Sequence, residues 1–226
     1  MIAPFSASWW AFLATVILLL VLCKVLMKNK PRDFKRYFIG IVGIFGIAAF
    51  IMYRYGLYAD PDYYFNIWDE LPLNLCNIAV FIVPIAAFTD IRILQSYCYF
   101  GSVIGALAGV SFPDNRFTNV PILSAKGIGF YGTHFLLLFM VLSFVVLGIL
   151  KPQVKDIFLC LALFGLLAVF AHIVNVVMRA TVNPLANYFF TFGVPDSGLF
   201  AKIYGIIPVP LLYEVLFLPI YGVSST

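Results

Sequence analysis

Four residues of this chain could carry nucleophilic or proton-transfer chemistry from within apolar sequence: Cys76, His134, His172 and Glu214. A thiol beside an imidazole performs nucleophilic catalysis, the histidine taking the thiol proton and later returning it to a leaving group. Glu214 would complete a Cys–His–Glu arrangement as orienter of the histidine. It reads equally as a structural ion pair or a proton-relay site, because a lone ionised carboxylate inside lipid is too costly to stand unpaired. Cys23, Cys98 and Cys160 fall towards the opposite ends of their apolar segments. No cysteine pair has the short spacing of a zinc site or a disulfide framework, and no metal cluster or phosphate loop is present, so no cofactor is expected.

Depth singles out Cys76. Read as helix, Cys76 lies six residues past Glu70, His134 eight past Lys126 and His172 seven before Arg179. At 1.5 Å per residue these are depths of about 9, 12 and 10 Å. Three separate segments thus bring their polar groups to one level, and either histidine could meet the thiol. Asn77, next to Cys76, could give an amide hydrogen bond to an oxyanion or hold helices together.

His172, Asn175 and Arg179 recur at i, i+3, i+7 and form one polar stripe. Such a stripe faces a bundle interior or a cleft and not lipid. It has two readings, an anionic head-group site with Arg179 on the phosphate or an interhelical clamp. Asn74 joins Asn175 and Arg179 among the candidate substrate contacts, since Glu70, Asn74 and Asn77 would share a helix face at i, i+4, i+7.

The elements that must position these groups are set by composition. Of 226 residues, 63% are hydrophobic and only 11% charged, and the mean hydropathy is +1.03. A soluble domain carries roughly 25% charged residues, so a water-soluble globule is excluded. The chain reads as one all-α transmembrane domain over 1–226, a seven-helix bundle with spans near 8–27, 37–53, 71–88, 91–112, 125–150, 157–178 and 203–222. The net charge of +4 marks no nucleic-acid surface, because the basic residues flank spans. With the N-terminus outside and the C-terminus cytoplasmic, nine Lys and Arg lie inside against five outside, the bias of the positive-inside rule. Gly101, Gly105 and Gly109 repeat at four-residue intervals, as helix contacts in lipid require. That face could serve an oligomer, but packing within the chain is the simpler use.

The segment Leu71-Pro72-Leu73-Asn74-Leu75-Cys76-Asn77 resembles the signature of the YwaF family of bacterial integral membrane proteins, which is related to a mammalian multi-span acyltransferase of ether phospholipids. Tyr131-Gly132-Thr133-His134, and Asn187-Tyr188-Phe189-Phe190 followed by Pro195, are similar to further blocks of that family. The resemblance implies a multi-pass protein of the bacterial cell membrane and a CoA-independent acyl transfer, with Cys76 as nucleophile and His134 as its histidine.

Residues and resemblance together lead to the expectation of a lipid acyltransferase or hydrolase working in the outer half of the membrane on phospholipids. The alternative is a transporter, or a protein that binds a lipid or small solute without covalent chemistry.

Overall fold

The computed structural model describes residues 5–111, 117, 120–192 and 205–206. Within them the chain forms helices α1 (Ala7–Leu26), α2 (Arg32–Tyr58), α3 (Leu75–Thr89), α4 (Arg92–Ser96), α5 (Ser102–Ser111), α6 (Ala125–Val146) and α7 (Val154–Thr181). A π-helical turn, Tyr97–Gly101, joins α4 to α5, so that Arg92–Ser111 is one continuous rod. A short 3-10 turn, Tyr188–Phe190, follows α7.

Five of these rods are long and apolar enough to cross a membrane, and α3 is a shorter apolar helix. The chain is therefore an all-helical, multi-pass membrane protein. The expected seventh span at 203–222, with Glu214, lies outside the described residues apart from the helical pair 205–206.

Several boundaries differ from the hydropathy reading: α2 runs over Arg32–Tyr58 and not 37–53, and α7 over Val154–Thr181 and not 157–178. Helix α3 begins at Leu75 and not at Leu71, because residues 71–74 are non-helical and Asn74, in extended backbone, is the N-cap. Consequently Cys76 is the second residue of its helix, and a helical depth counted from Glu70 does not apply. Nor do Glu70 and Asn74 share a helix face with Asn77. Helix α6 stops at Val146, where Leu147 caps it and Gly148 turns the backbone at φ 73°. That left-handed conformation suits glycine.

Helix α6 is the axis of the bundle, with two thirds of its apolar window (67%) buried against 22% for α7. It packs most extensively on α2, and also on α1, α3 and α5. Lipid provides no hydrophobic drive for these contacts, so close backbone approach must supply dispersion energy. Glycines allow it: a Cβ at Gly129 would strike the Tyr53 backbone, and one at Gly56 the backbone of Ala125 and Lys126. Gly43 lies against Pro84 of α3, where a Cβ would come 3.0 Å from the ring. Pro84 itself lacks the amide that would bond one turn back.

Charged groups gather at the two ends of α2. At its start, Arg32 pairs with Asp90, the left-handed C-cap of α3 (φ 60°). Arg36 donates to the Ala87 and Phe88 carbonyls at 3.0 and 2.8 Å, satisfying the end of that helix. Nearby, Arg92 grips the buried Asp156 through two 2.7 Å bonds and reaches the Lys151 carbonyl. At the far end, Lys126 donates to Asp60 at 2.6 Å and Arg54 pairs with the buried Glu70, which also accepts from the Tyr63 hydroxyl at 2.6 Å. The apolar length between these two sets is the membrane-crossing body.

Candidate functional site

The glycine ladder on the rod Arg92–Ser111 brings the chemistry-bearing residues together. A Cβ on Gly105 would stand 3.1 Å from the Cys76 sulfur of α3. One turn on, a Cβ on Gly109 would lie 2.7 Å from Cδ2 of His134, from α6, and closer still to Nε2. One turn back, a Cβ on Gly101 would sit 3.5 Å from the Cys160 sulfur of α7. Positions four apart on a helix are neighbours, about 5–6 Å between their Cβ atoms. Cys76 and His134 therefore occupy adjoining turns of one face, admitted there by missing side chains.

His134 is 7% exposed and its Nδ1 lies 2.8 Å from the Phe130 carbonyl. A carbonyl only accepts, so Nδ1 carries the proton and donates, which leaves Nε2, the atom facing Gly109, with its lone pair. The imidazole thus presents Nε2 to the glycine face. Cys76 is half-buried, a free thiol. It lies against Gly105 and His134 against Gly109, successive glycines of one face of α5, and no hydrogen bond joins the two.

The start of α3 adds donors. Asn74 forms no side-chain cap to the helix, and the first backbone bond of the turn is Ile78 N to the Asn74 carbonyl at 2.9 Å. The amides of Leu75, Cys76 and Asn77 precede that bond and have no carbonyl within their own helix to receive them. They sit where negative charge on or next to the sulfur would be met by the positive end of the helix. Hydropathy gave no sign of this, since Leu71–Asn74 is as apolar as a helix. Pro72 and the Asn74 cap position were the available signals. Asn77, the residue after Cys76, is half-buried.

The stripe on α7 is engaged differently. Asn175, fully buried, donates to the Tyr188 carbonyl at 2.8 Å and to Thr191 Oγ1 at 2.9 Å, and accepts from Tyr188 N at 2.7 Å. His172 Nδ1 lies 3.0 Å from the same Thr191 hydroxyl, and its ring stacks on Phe192. Arg179 donates to the Ala186 carbonyl at 3.0 Å and lies over the Phe192 ring. Asn74 accepts from Phe189 N at 2.9 Å. Of the two uses open to the stripe, these bonds form a clamp on the chain's own turn at 186–192. His172 is turned to that turn, so it is His134 that stands with Cys76 on the glycine face. Sequence pattern alone could not locate the partner of the stripe, which lies beyond the end of α7.

A helical, multi-pass membrane protein with a thiol and an imidazole seated against successive glycines of one rod is the class that this fold defines. The model of the TMEM164 family, a family of multi-span membrane proteins, matches residues 4–223, and the chain belongs to that family. No curated protein and no solved structure matches it.

Proposed function

We propose that the protein is a membrane-embedded lipid acyltransferase, a CoA-independent transacylase or lipid hydrolase, with Cys76 as nucleophile and His134 as general base and acid. The observation that carries this reading is the seating of the Cys76 sulfur and His134 Nε2 on successive glycines of one helix face. The resemblance of Leu71–Asn77 to the YwaF signature and its acyltransferase relative supports it.

In the first half-reaction the Cys76 sulfur attacks an ester carbonyl carbon of a phospholipid while its proton passes to His134 Nε2. The carbonyl oxygen takes up negative charge, which in this reading the first-turn amides of α3, with the Asn77 amide, stabilise. Collapse breaks the acyl C–O bond, and the leaving alkoxide takes the proton from His134. A lysolipid has left and a thioester remains. In the second half-reaction a lysolipid hydroxyl or water attacks the thioester, its proton goes to His134, and the released thiolate is reprotonated. Because Cys76 and His134 are not hydrogen-bonded to each other, their contact tightens only with substrate, as catalytic contacts in empty sites commonly do.

In this reading Asn74, Asn175 and Arg179 act on the lipid through the 186–192 turn that they hold, with His172 as part of the same support. Glu214 is a candidate orienter reached from the last span. The outer half of the membrane is the expected level, which makes a phospholipid and not cytosolic acyl-CoA the donor. The test is lipid turnover by purified protein in bilayers of defined phospholipid. Cys76→Ala and His134→Ala should each abolish it, and the wild type should accumulate an acyl group on Cys76. Turnover at the wild-type rate by either variant overturns the proposal.

A further inference from the structure

The end of the bundle that carries Arg92 and Asp156 holds two thiols that acyl transfer does not use. The rod Arg92–Ser111 and helix α7 both set out from the Arg92–Asp156 ion pair, joined by two 2.7 Å bonds. Cys98 lies six residues past Arg92 and Cys160 four past Asp156. Counted along their helices they stand about 9 and 6 Å from that pair, nearly level with one another.

Cys98 belongs to the π turn Tyr97–Gly101, on which α7 packs. Gly101, in the same turn, leaves an opening for Cys160, whose sulfur lies 3.5 Å from the place of the missing Cβ. Charge on the Cys160 sulfur is felt at Cys98, so the two thiols share one neighbourhood. Both are reduced and buried, Cys98 at 0% and Cys160 at 3% exposure. The candidate site is one turn further along the glycine ladder, where the Cys76 sulfur is seated at Gly105.

Two neighbouring thiols have two uses, a soft metal ion or a disulfide. Charge decides between them. A monovalent soft ion on two thiolates leaves a net negative charge in an apolar setting, where an uncompensated ion is costly. Arg92, the cation at that end of the rod, is already taken by Asp156. Among the described residues, no group of three or more His, Cys, Asp or Glu could hold a metal ion. A disulfide is neutral, and its formation releases only neutral molecules.

Burial selects the oxidant. A charged reagent is kept out of the apolar body, whereas an uncharged organic hydroperoxide dissolves in it. Burial also slows both thiols, so the site answers to sustained exposure and not to a brief pulse. Once one sulfur is a sulfenic acid, the second thiol beside it condenses to the disulfide before further oxidation.

We propose that Cys98 and Cys160 form a redox modification site, oxidised by an uncharged organic hydroperoxide to a disulfide that ties the rod Arg92–Ser111 to α7. One sulfur attacks the terminal peroxide oxygen, the O–O bond breaks, and the alcohol leaves with the thiol proton. The second sulfur attacks the sulfenic sulfur, the S–O bond breaks, and the hydroxyl leaves as water with the second proton. The two sulfurs together lose two electrons and the hydroperoxide gains them. Neither Cys76 nor His134 takes part, so the inference stands apart from the acyl-transfer reading.

The test treats the full chain in maltoside micelles with cumene hydroperoxide, blocks remaining thiols with a maleimide on unfolding, and maps the peptides by mass. The expected product is a linked Cys98–Cys160 peptide pair, two hydrogen atoms lighter than the separate peptides. The linked chain should melt roughly 5 °C above the reduced one, because the bond closes a long loop. Cys98→Ser should remove both the link and the shift, and leave Cys160 as a sulfenic acid that dimedone labels. If that variant does not fold, Cys160→Ser and the wild-type peptide map decide. A folded chain in which both thiols stay reduced overturns the site. So does a link that forms only after unfolding in dodecyl sulfate, or one that joins either cysteine to Cys23 or Cys76.

Discussion

Gly109 and His134 compete for one volume: the imidazole fills the space that any side chain at position 109 would need, with its Cδ2 2.7 Å from the place of the missing Cβ. Gly109→Ala must push the ring away from the glycine face. Lipid turnover should fall about 100-fold, the usual effect of displacing a catalytic group by an ångström. Gly105→Ala, whose methyl would meet the Cys76 sulfur at 3.1 Å, should be milder. Gly165→Ala, with nothing within 4 Å, should leave turnover unchanged. Initial rates of the three variants in one bilayer composition check this order.

Asn175 holds both the amide and the carbonyl of Tyr188 and is fully buried. Asn175→Ala strands both, and should lower stability by about 2–3 kcal/mol, within the penalty for buried groups left without partners. Arg179→Ala, which loses one carbonyl contact at an exposed residue, should cost less. Thermal unfolding in detergent gives the comparison.

Arg54 and Glu70 form a buried pair, their side chains 15% and 1% exposed. Breaking it from one side with Arg54→Met or Glu70→Met should cost about 3–5 kcal/mol, because the remaining charge is left in an apolar setting. The double replacement should recover most of that loss. A double-mutant cycle in denaturant measures the recovery, and additive losses would mean that the two charges are not coupled.

Asp90 and Asp60 give the protein an acid limit. The Arg32 hydrogen bond holds the Asp90 carboxyl below its ordinary value, and Lys126 does the same for Asp60. A carboxylate whose folded value is depressed contributes stability above its unfolded pKa, near 4, and loses it as pH falls through the folded value. The melting temperature should therefore be flat with respect to these groups above about pH 5 and fall below pH 4. Asp90→Asn should lower the plateau and make the acid limb shallower, as pH-dependent melting curves would record.

Much of the architecture could be read in advance, and the reasons are physical. Hydropathy marks apolar rods, and the spacing of Gly101, Gly105 and Gly109 marks the face where rods approach. What escaped reading depends on contacts distant in sequence. Leu71–Asn74 has the apolarity of a helix, but it is held non-helical next to the 186–192 turn, and Asn74 accepts from Phe189 N, 115 residues away. Local periodicity has no access to such a partner. The stripe at His172, Asn175 and Arg179 was visible as a stripe, but not what it grips. The π turn at Tyr97–Gly101, which contains the first glycine of the ladder, left no mark in composition.

The strand of chain leading into Cys76 is moored at two points to the segment beyond α7: Asn183 donates to Asp69 at 2.5 Å, and Asn74 receives Phe189 N at 2.9 Å. The first turn of α3 consequently cannot shift on its own. Any displacement of the segment beyond α7 therefore carries the approach to Cys76 with it, so two stretches that are remote in sequence behave as a single moving part.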